Sequence, residues 1–350
     1  MSDLRVGFIG AGLIATSHAT NLVRDRRVAI TAVHDLDPER AGSFAERFAP
    51  AGRSAVRPHA DAVIEDVDAL YVCTWTSAHP DLVLAGAEAG RAVFCEKPLA
   101  TTLARAVEMT EAVERAGVTN QVGLVLRHSP AFRQLRHLLR ADDAGPVMNV
   151  VFRDDQYLPT QGLYGSTWRA EWAKAGGGTL LEHSIHDLDL IDWMVGPVVE
   201  VSARIGSVHG LEGIDDRATV MLLGRDGAQA ALVSVWHDVV SRPSQRSVEV
   251  FTTKGVFSLE GDWRGPVHWD RTSSFSGPAE GETGRLAGPE LAAAADAVDG
   301  LADDPDRAFA SAVLNGTAAH PSFPVALRAH VLADAAYRSA AAGGAVIAVS

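Results

Sequence analysis

The sequence predicts an α/β domain built on a doubly wound parallel sheet, followed by an α+β domain with a large, mainly antiparallel open sheet. Three observations carry this expectation. Over roughly the first 122 residues short apolar runs alternate with helix-like segments at a steady pace, as they do where helices cover both faces of a parallel sheet. After Gly123 the runs lengthen and are joined by tight turns such as Arg225-Asp226-Gly227 and Thr253-Lys254-Gly255, which implies antiparallel pairing. The chain has 350 residues, 47% of them hydrophobic, more than one core usually organises. Residues 1–122 and 123–350 are therefore expected to form separate domains.

Taken in order, Leu4 to Ile9 is an apolar strand, and Gly10-Ala11-Gly12-Leu13-Ile14-Ala15 leads directly from it into a helix ending near Arg24. This is the Gly-x-Gly-x-x-Ala dinucleotide fingerprint. Gly10 permits the tight turn, Gly12 lets backbone approach a pyrophosphate, and Ala15 lets helix and sheet pack closely. A second strand, Val28 to Val33, ends at His34-Asp35, where a ribose-binding carboxylate belongs. Asp35 would accept hydrogen bonds from the ribose hydroxyls and repel a 2'-phosphate, which favours NAD over NADP, while Arg40 keeps NADP open. A helix over 38–48, a weak strand at Ser54 to Arg57 and a short helix from Ala60 follow. Ala69 to Cys73 is the next strand, then a helix opened by Pro80 and stopped by Gly90. Strands at Ala92 to Cys95 and Val118 to Leu124 flank a helix over 101–116, making six strands in all. Beyond Gly123 a helix is expected at 131–140, and strands at 147–152, 198–205, 218–223, 228–236, 247–251 and 255–259. Arg271 to Ala287 reads as an exposed loop, and alanine-rich segments at 290–301 and 325–341 as closing helices.

Charge narrows the possible partners. A net charge of −13 argues against nucleic acid or an anionic membrane surface and leaves small molecules as the expected ligands. Cys73 and Cys95 both end apolar runs and build no disulfide scaffold. With no signal-like start and no run long enough to span a bilayer, a cytoplasmic protein is expected.

Ala92-Val93-Phe94-Cys95 breaks into Glu96-Lys97-Pro98. Of the 31 basic residues only Lys97, Lys174 and Lys254 are lysines, so an ammonium stands at this strand end in a chain that elsewhere uses arginine. Lysine is a compact charge whose pKa moves on burial, which proton chemistry can use; a surface lysine before a turn proline is the plainer reading. Ligands in doubly wound sheets bind beyond the carboxyl ends of strands. Thr74 to Ser77 and Glu96 to Pro98 both stand there.

In the second half, Gly176-Gly177-Gly178 opens a helix. On a helical wheel Leu181, Ile185, Leu188, Ile191 and Val195 make a buried stripe, with Glu182, His186, Asp189 and Trp193 on nearly the opposite face. That face meets either solvent or a cleft. Glu182, His183 and His186 do not match a zinc spacing, and no metal is expected.

Together, Gly10-Ala11-Gly12, Glu96-Lys97-Pro98, the three glycines with Glu182-x-x-x-His186-x-x-Asp189, Asp154-Asp155-Gln156-Tyr157 and Ser166-Thr167-Trp168-Arg169 resemble the glucose-fructose oxidoreductase, inositol dehydrogenase and MocA family over essentially the whole chain. The resemblance implies that Lys97 and His186 flank a substrate beside the nicotinamide, and that a cis peptide precedes Pro98. It implies hydride transfer between NAD(H) and a secondary hydroxyl or ketone of a sugar, cyclitol or sugar derivative. An imidazole, ordinarily titrating near 6.5, can take the hydroxyl proton, and Lys97 can stabilise alkoxide character. Glu182, which stands where many members have Asp, is expected among the catalytic groups with Lys97 and His186. Expected cofactor contacts are Gly10, Gly12, Leu13, Ile14, Asp35, Arg40, Thr74, Trp75, Thr76, His79, Glu96 and Lys97. Expected substrate contacts are Lys97, Arg127, Gln156, Tyr157, Trp168, Arg169, Glu182 and His186, the aromatic rings stacking on sugar C–H faces. A homodimer or homotetramer is implied as well. Two rivals stay open: a catalytically silent NAD-binding regulator, since some members do not turn over, and a reductase of an unsaturated or imine substrate.

Overall fold

The computed structural model describes residues 4–272, 281–299 and 304–350. Two compact units emerge. One takes in the chain up to Leu124 together with Ala173–Gly176 and Asp304–His330, and the other holds the rest.

In the first unit β1 (Leu4–Ile9), β2 (Val28–His34), β3 (Ala69–Val72), β4 (Ala92–Cys95) and β5 (Asn120–Val122) form a parallel sheet in the order β2-β1-β3-β4-β5. Helices α1 (Leu13–Leu22), α2 (Pro38–Phe48), α3 (Ala60–Asp66), α4 (His79–Glu88) and α5 (Leu103–Ala116) connect the strands. The strands are almost wholly apolar because both faces are covered. On one face Phe8, Tyr71 and Phe94, in register on neighbouring strands, stack at 4.8 and 4.6 Å, and Phe309 meets Phe94 edge-on at 5.6 Å. On the other, Leu70, Val93, Val83, Met109 and Phe323 make a second core.

The sheet has five strands, not six. Ser54–Arg57 lies across a 3-10 turn, Gly52–Ala55, and only Val56 bridges to Val33. Pro58 follows directly and has no N–H with which to extend a ladder. Phe309 and Phe323 belong to helices Pro305–Asn315 and Phe323–Ala341. The first of these helices was absent from the sequence reading, although Asp304-Pro305 marks its start: the Asp304 carboxylate accepts from the Asp306 and Arg307 N–H groups and Pro305 occupies the first turn.

In the second unit, β6 (Val147–Tyr157), β7 (Val198–Gly206), β8 (Arg217–Gly224), β9 (Gln229–His237), β10 (Gln245–Thr252), β11 (Gly255–Glu260), β12 (Val267–Thr272), β13 (Gly281–Leu286) and β14 (Ile347–Ala348) form one sheet. Their order is β13-β12-β11-β10-β6-β9-β8-β7-β14, and every pairing is antiparallel except the central β6–β9 pair. Alternation is clean: Val150, Phe152, Val220, Leu222, Leu232, Val248, Val250 and Phe257 are buried on one face. The other face exposes Val151, Met221, Val233 and Val256. The expected loop at 271–287 contains strand β13, paired with β12 from Val267↔Leu286 to Thr272↔Gly281, while 273–280 lies outside the described residues. β13 buries no face, so its sequence carries no alternation to read.

Candidate active site

In the first unit the turn from β1 into α1 is dictated by sterics. Gly10 has φ +90°, and a Cβ there would press on the Cys73 carbonyl, its carbon 2.7 Å away. Gly12 is different: a Cβ would meet no protein atom within 4 Å. It opens α1 without a side-chain cap, so the first-turn amides are not closed off by the residue that precedes them. Leu13 and Ile14 stand exposed beside it. Asp35, at the end of β2, accepts the Ala11 N–H at 2.8 Å through one oxygen and the Asp37 N–H at 2.8 Å through the other, and Arg40 approaches it at 3.7 Å. An open backbone surface, exposed apolar side chains and a buttressed carboxylate fit a dinucleotide: phosphates on the α1 amides, the ribose on Asp35.

At the neighbouring strand ends Thr74 and Trp75 are partly exposed, with the Lys174 ammonium 5.1 Å from the Trp75 ring centre. Thr76 is buried. His79 is buried too, and its ring nitrogens lie 2.9 Å from the Pro98 carbonyl and 3.2 Å from that of Thr74. Its ring therefore braces the Lys97 turn from within. His330 completes the brace by accepting the Leu99 N–H at 2.9 Å. Burial, then the His79 charge, pull the His330 imidazole down to about 3, so it remains a neutral acceptor. The Lys97–Pro98 bond is cis, and Lys97 is half-buried between two buried residues. Glu96 faces inward: one oxygen accepts the Lys97 N–H at 3.2 Å and the other lies 2.9 Å from His18.

In the second unit the glycine run has a cause that no periodicity reveals. A Cβ on Gly178 would lie 2.6 Å from the Asp215 carbonyl carbon. Asp215 comes this close because its carboxylate accepts the Gly178 and Leu180 N–H groups at 2.7 and 2.9 Å and the Tyr337 hydroxyl at 2.8 Å. The segment it caps is not one α-helix. Thr179–His183 is a π-helical turn, Ser184 is a turn residue, and the α-helix runs over Ile185–Val195, so the expected two-faced wheel fails at Ser184. Nearly everything from Thr179 to Ile191 is buried, Glu182, His186 and Asp189 included.

A buried cation holds this turn. The Arg246 guanidinium donates to Asp187 at 2.6 Å, Asp262 at 2.8 Å and Asp154 at 3.2 Å. Ser184 donates to Asp154 at 3.1 Å, and His183 lies 3.1 Å from it. Burial raises Asp154 and pushes Asp187 up to about 7 against the pull of Arg246, as expected when two carboxyls share one interior site. Arg246, Asp187 and Asp262 were missed because a strand, a helix and a loop distant in sequence bring them together.

Glu182 accepts from Arg169 at 3.1 Å, and that guanidinium lies 4.5 Å from the Trp168 ring centre. The structure thus groups Glu182, Arg169 and Trp168. Arg127 is drawn elsewhere: its fork is bidentate on Asp189 at 2.7 and 2.8 Å, with Trp193 stacked against it and against Arg136. Gln156 and Tyr157, at the end of β6, are buried, and the Tyr157 hydroxyl accepts the Leu163 N–H at 3.2 Å.

Residues 4–124 match the model of an oxidoreductase family with an NAD-binding Rossmann fold, and residues 132–258 match the GFO/IDH/MocA C-terminal domain. The chain belongs to the GFO/IDH/MocA family. Among its relatives are 1,5-anhydro-D-fructose reductase of Ensifer adhaerens and myo-inositol 2-dehydrogenase of Thermotoga maritima. Each is 31% identical over 72% of this chain and 74% of its own. Of solved structures, GenD2 from gentamicin A biosynthesis, in complex with NAD, superposes with a TM-score of 0.82 at 26% identity, covering 100% of this chain and 97% of that one. Levoglucosan dehydrogenase with NADH and levoglucosan, at 22% identity and TM-score 0.86 over 99% and 100% of the two chains, shares the fold. The first unit of this GFO/IDH/MocA chain is thus an NAD-binding Rossmann domain.

Proposed function

We propose that the chain is an NAD-dependent dehydrogenase that transfers hydride between NAD(H) and a secondary hydroxyl or ketone of a sugar, cyclitol or sugar derivative. The observation that carries this is Lys97, held on a turn braced by His79 and His330 at a strand end of an NAD-binding unit. The polyol chemistry named for the inositol dehydrogenase and anhydrofructose reductase relatives supports the substrate class. Bound NAD supplies the hydride acceptor. The Lys97 ammonium donates to the reacting oxygen and favours its anionic form, and His186 takes the hydroxyl proton, work typically worth about 10²–10⁴ in rate. Glu182, steadied by Arg169, accepts from a neighbouring hydroxyl. Asp35 binds the adenosine ribose and disfavours NADP. The exposed apolar side chains on the open sheet face support a homodimer or homotetramer, and the two buried free cysteines are compatible with a cytoplasmic setting. Among the described residues no helix is long and apolar enough to cross a membrane.

The test is turnover of NAD with a panel of cyclitols and sugars, read as reduced nicotinamide. At least one polyol should be oxidised, and Lys97→Ala should lower kcat by about 10² or more while NADH still binds. Tight NADH binding without turnover of any polyol would overturn the proposal.

A further inference from the structure

His18 has no part in the chemistry so far, yet both of its ring nitrogens face carboxylates in the interior of the first unit. It sits in the second turn of α1, is 3% exposed, and packs against the rings of both Tyr71 and Phe94. Its Nδ1 lies 2.7 Å from Asp306 on helix Pro305–Asn315, and its Nε2 lies 2.9 Å from Glu96. Asp306 is fixed in turn by Asn21 at 2.9 Å. Burial is the largest influence on this imidazole and pulls its pKa down, but Asp306 and then Glu96 outweigh it and push it up to about 10. His18 is therefore a doubly donating imidazolium between two carboxylates. The other Glu96 oxygen accepts the Lys97 backbone N–H at 3.2 Å. Space for that carboxylate exists because position 123 is glycine, where a Cβ would lie 2.8 Å from the Glu96 carboxyl carbon.

The geometry points to His18 as a positioning residue for Lys97: it sets the Glu96 carboxylate that holds the Lys97 backbone, and so ties the placement of the ammonium to the helix that carries the dinucleotide fingerprint. This rests on the reading of Lys97 as catalytic. The contacts of His18 lead through Glu96 to one specific atom of the Lys97 turn, its backbone nitrogen.

A chain with three lysines allows a direct test. Reductive ¹³C-methylation gives one dimethyl-lysine signal for each, and Lys97→Ala assigns the one from Lys97. His18→Gln has one nitrogen in place of two opposed ring N–H donors and cannot bridge Glu96 and Asp306. Asp306→Asn preserves the Nε2–H donor to Glu96 in either form, because the amide can accept from Nδ1–H or donate to a bare Nδ1. In the full-length protein, His18→Gln is expected to move the Lys97 signal and its titration midpoint while leaving those of Lys174 and Lys254. Its kcat should fall about 10-fold, with both KM values changing less than about 3-fold, the expected pattern for a lost transition-state contact. Asp306→Asn should leave the Lys97 signal in place even as it lowers Tm. Should His18→Gln fail to fold, Glu96→Gln serves in its stead, since an amide cannot accept from both His18 and the Lys97 N–H through separate oxygens. An unmoved Lys97 signal in the histidine or glutamate variant would overturn the inference, and so would shifts that follow Tm equally across the variants. Full turnover by Lys97→Ala would instead overturn the catalytic reading of Lys97, leaving the signal shifts as a separate result.

Discussion

Two glycines a single residue apart should fail for opposite reasons when replaced by alanine. At Gly12, with φ −78° and ψ −166°, alanine meets neither strain nor a neighbour within 4 Å, so stability should stay within about 0.5 kcal/mol. The new methyl would stand instead where the proposed function has the α1 amides receive the pyrophosphate. A hydrogen bond to a charged group is worth about 1.5–3 kcal/mol. Losing roughly 2 kcal/mol would weaken NADH binding about 30-fold. At Gly10 alanine must adopt φ +90° and displace the Cys73 carbonyl. Strain of this kind costs of order 1–3 kcal/mol, and because the obstacle is backbone the upper end is expected. Tm should then fall by about 6–12 °C. Thermal melts of the unliganded protein, with NADH titrations followed by nicotinamide fluorescence, separate the two. If Gly12→Ala bound NADH as tightly as the parent, or melted as early as Gly10→Ala, the division of labour argued here would be wrong.

Arg246→Met should cost about 3–5 kcal/mol, because it leaves Asp154, Asp187 and Asp262 around a vacated buried cation site; urea unfolding followed by tryptophan fluorescence measures it, and a loss under 1 kcal/mol would show that the cluster is solvated. The pH dependence of stability should carry the mark of His18. Its folded pKa of about 10 lies above the 6.5 of a free imidazole, so the unfolded chain binds fewer protons between those values. Its contribution is complete below pH 6.5 and is lost as pH rises through 10. Melting scans across that window should show a fall that is flatter in His18→Gln, and equal slopes in both proteins would refute the assignment.

Much of the fold was legible because burial writes itself into period. The strands of both sheets alternate or run apolar according to whether one face or both are covered, and β6 to β11 were found wherever one face is buried. Strand β13, with no residue buried, left no such trace. The dinucleotide turn was legible as local chemistry, since glycine geometry is a property of a few adjacent residues, and Lys97 stood out as a rare lysine at a strand end, whereas the cis bond before Pro98 was expected from the family resemblance alone. What lay hidden depends on distance along the chain. Nothing near Gly178 announces Asp215, and His18 is separated by 78 residues from Glu96 and 288 from Asp306. The helical wheel misled at Glu182 and His186 for a related reason: a π turn adds residues without altering composition, so the 3.6-residue count drifts off the true face.

The late helices that join the first unit bear on how the chain can be made. Gln121 donates to the Pro305 carbonyl, 184 positions onward, the Val122 N–H donates to Pro321, and Phe309 and Phe323 fill one core each. On the ribosome, β1 to β5 emerge long before those residues exist. The nascent sheet must wait with both its cores incomplete and with Glu96 and His18 lacking Asp306, while more than a hundred intervening residues are added. Domains ordinarily fold one after another during synthesis, but here the first unit cannot complete its cores or the His18–Asp306 contact until residues 304–330 have been made, although the lysine turn is encoded in the first third of the message.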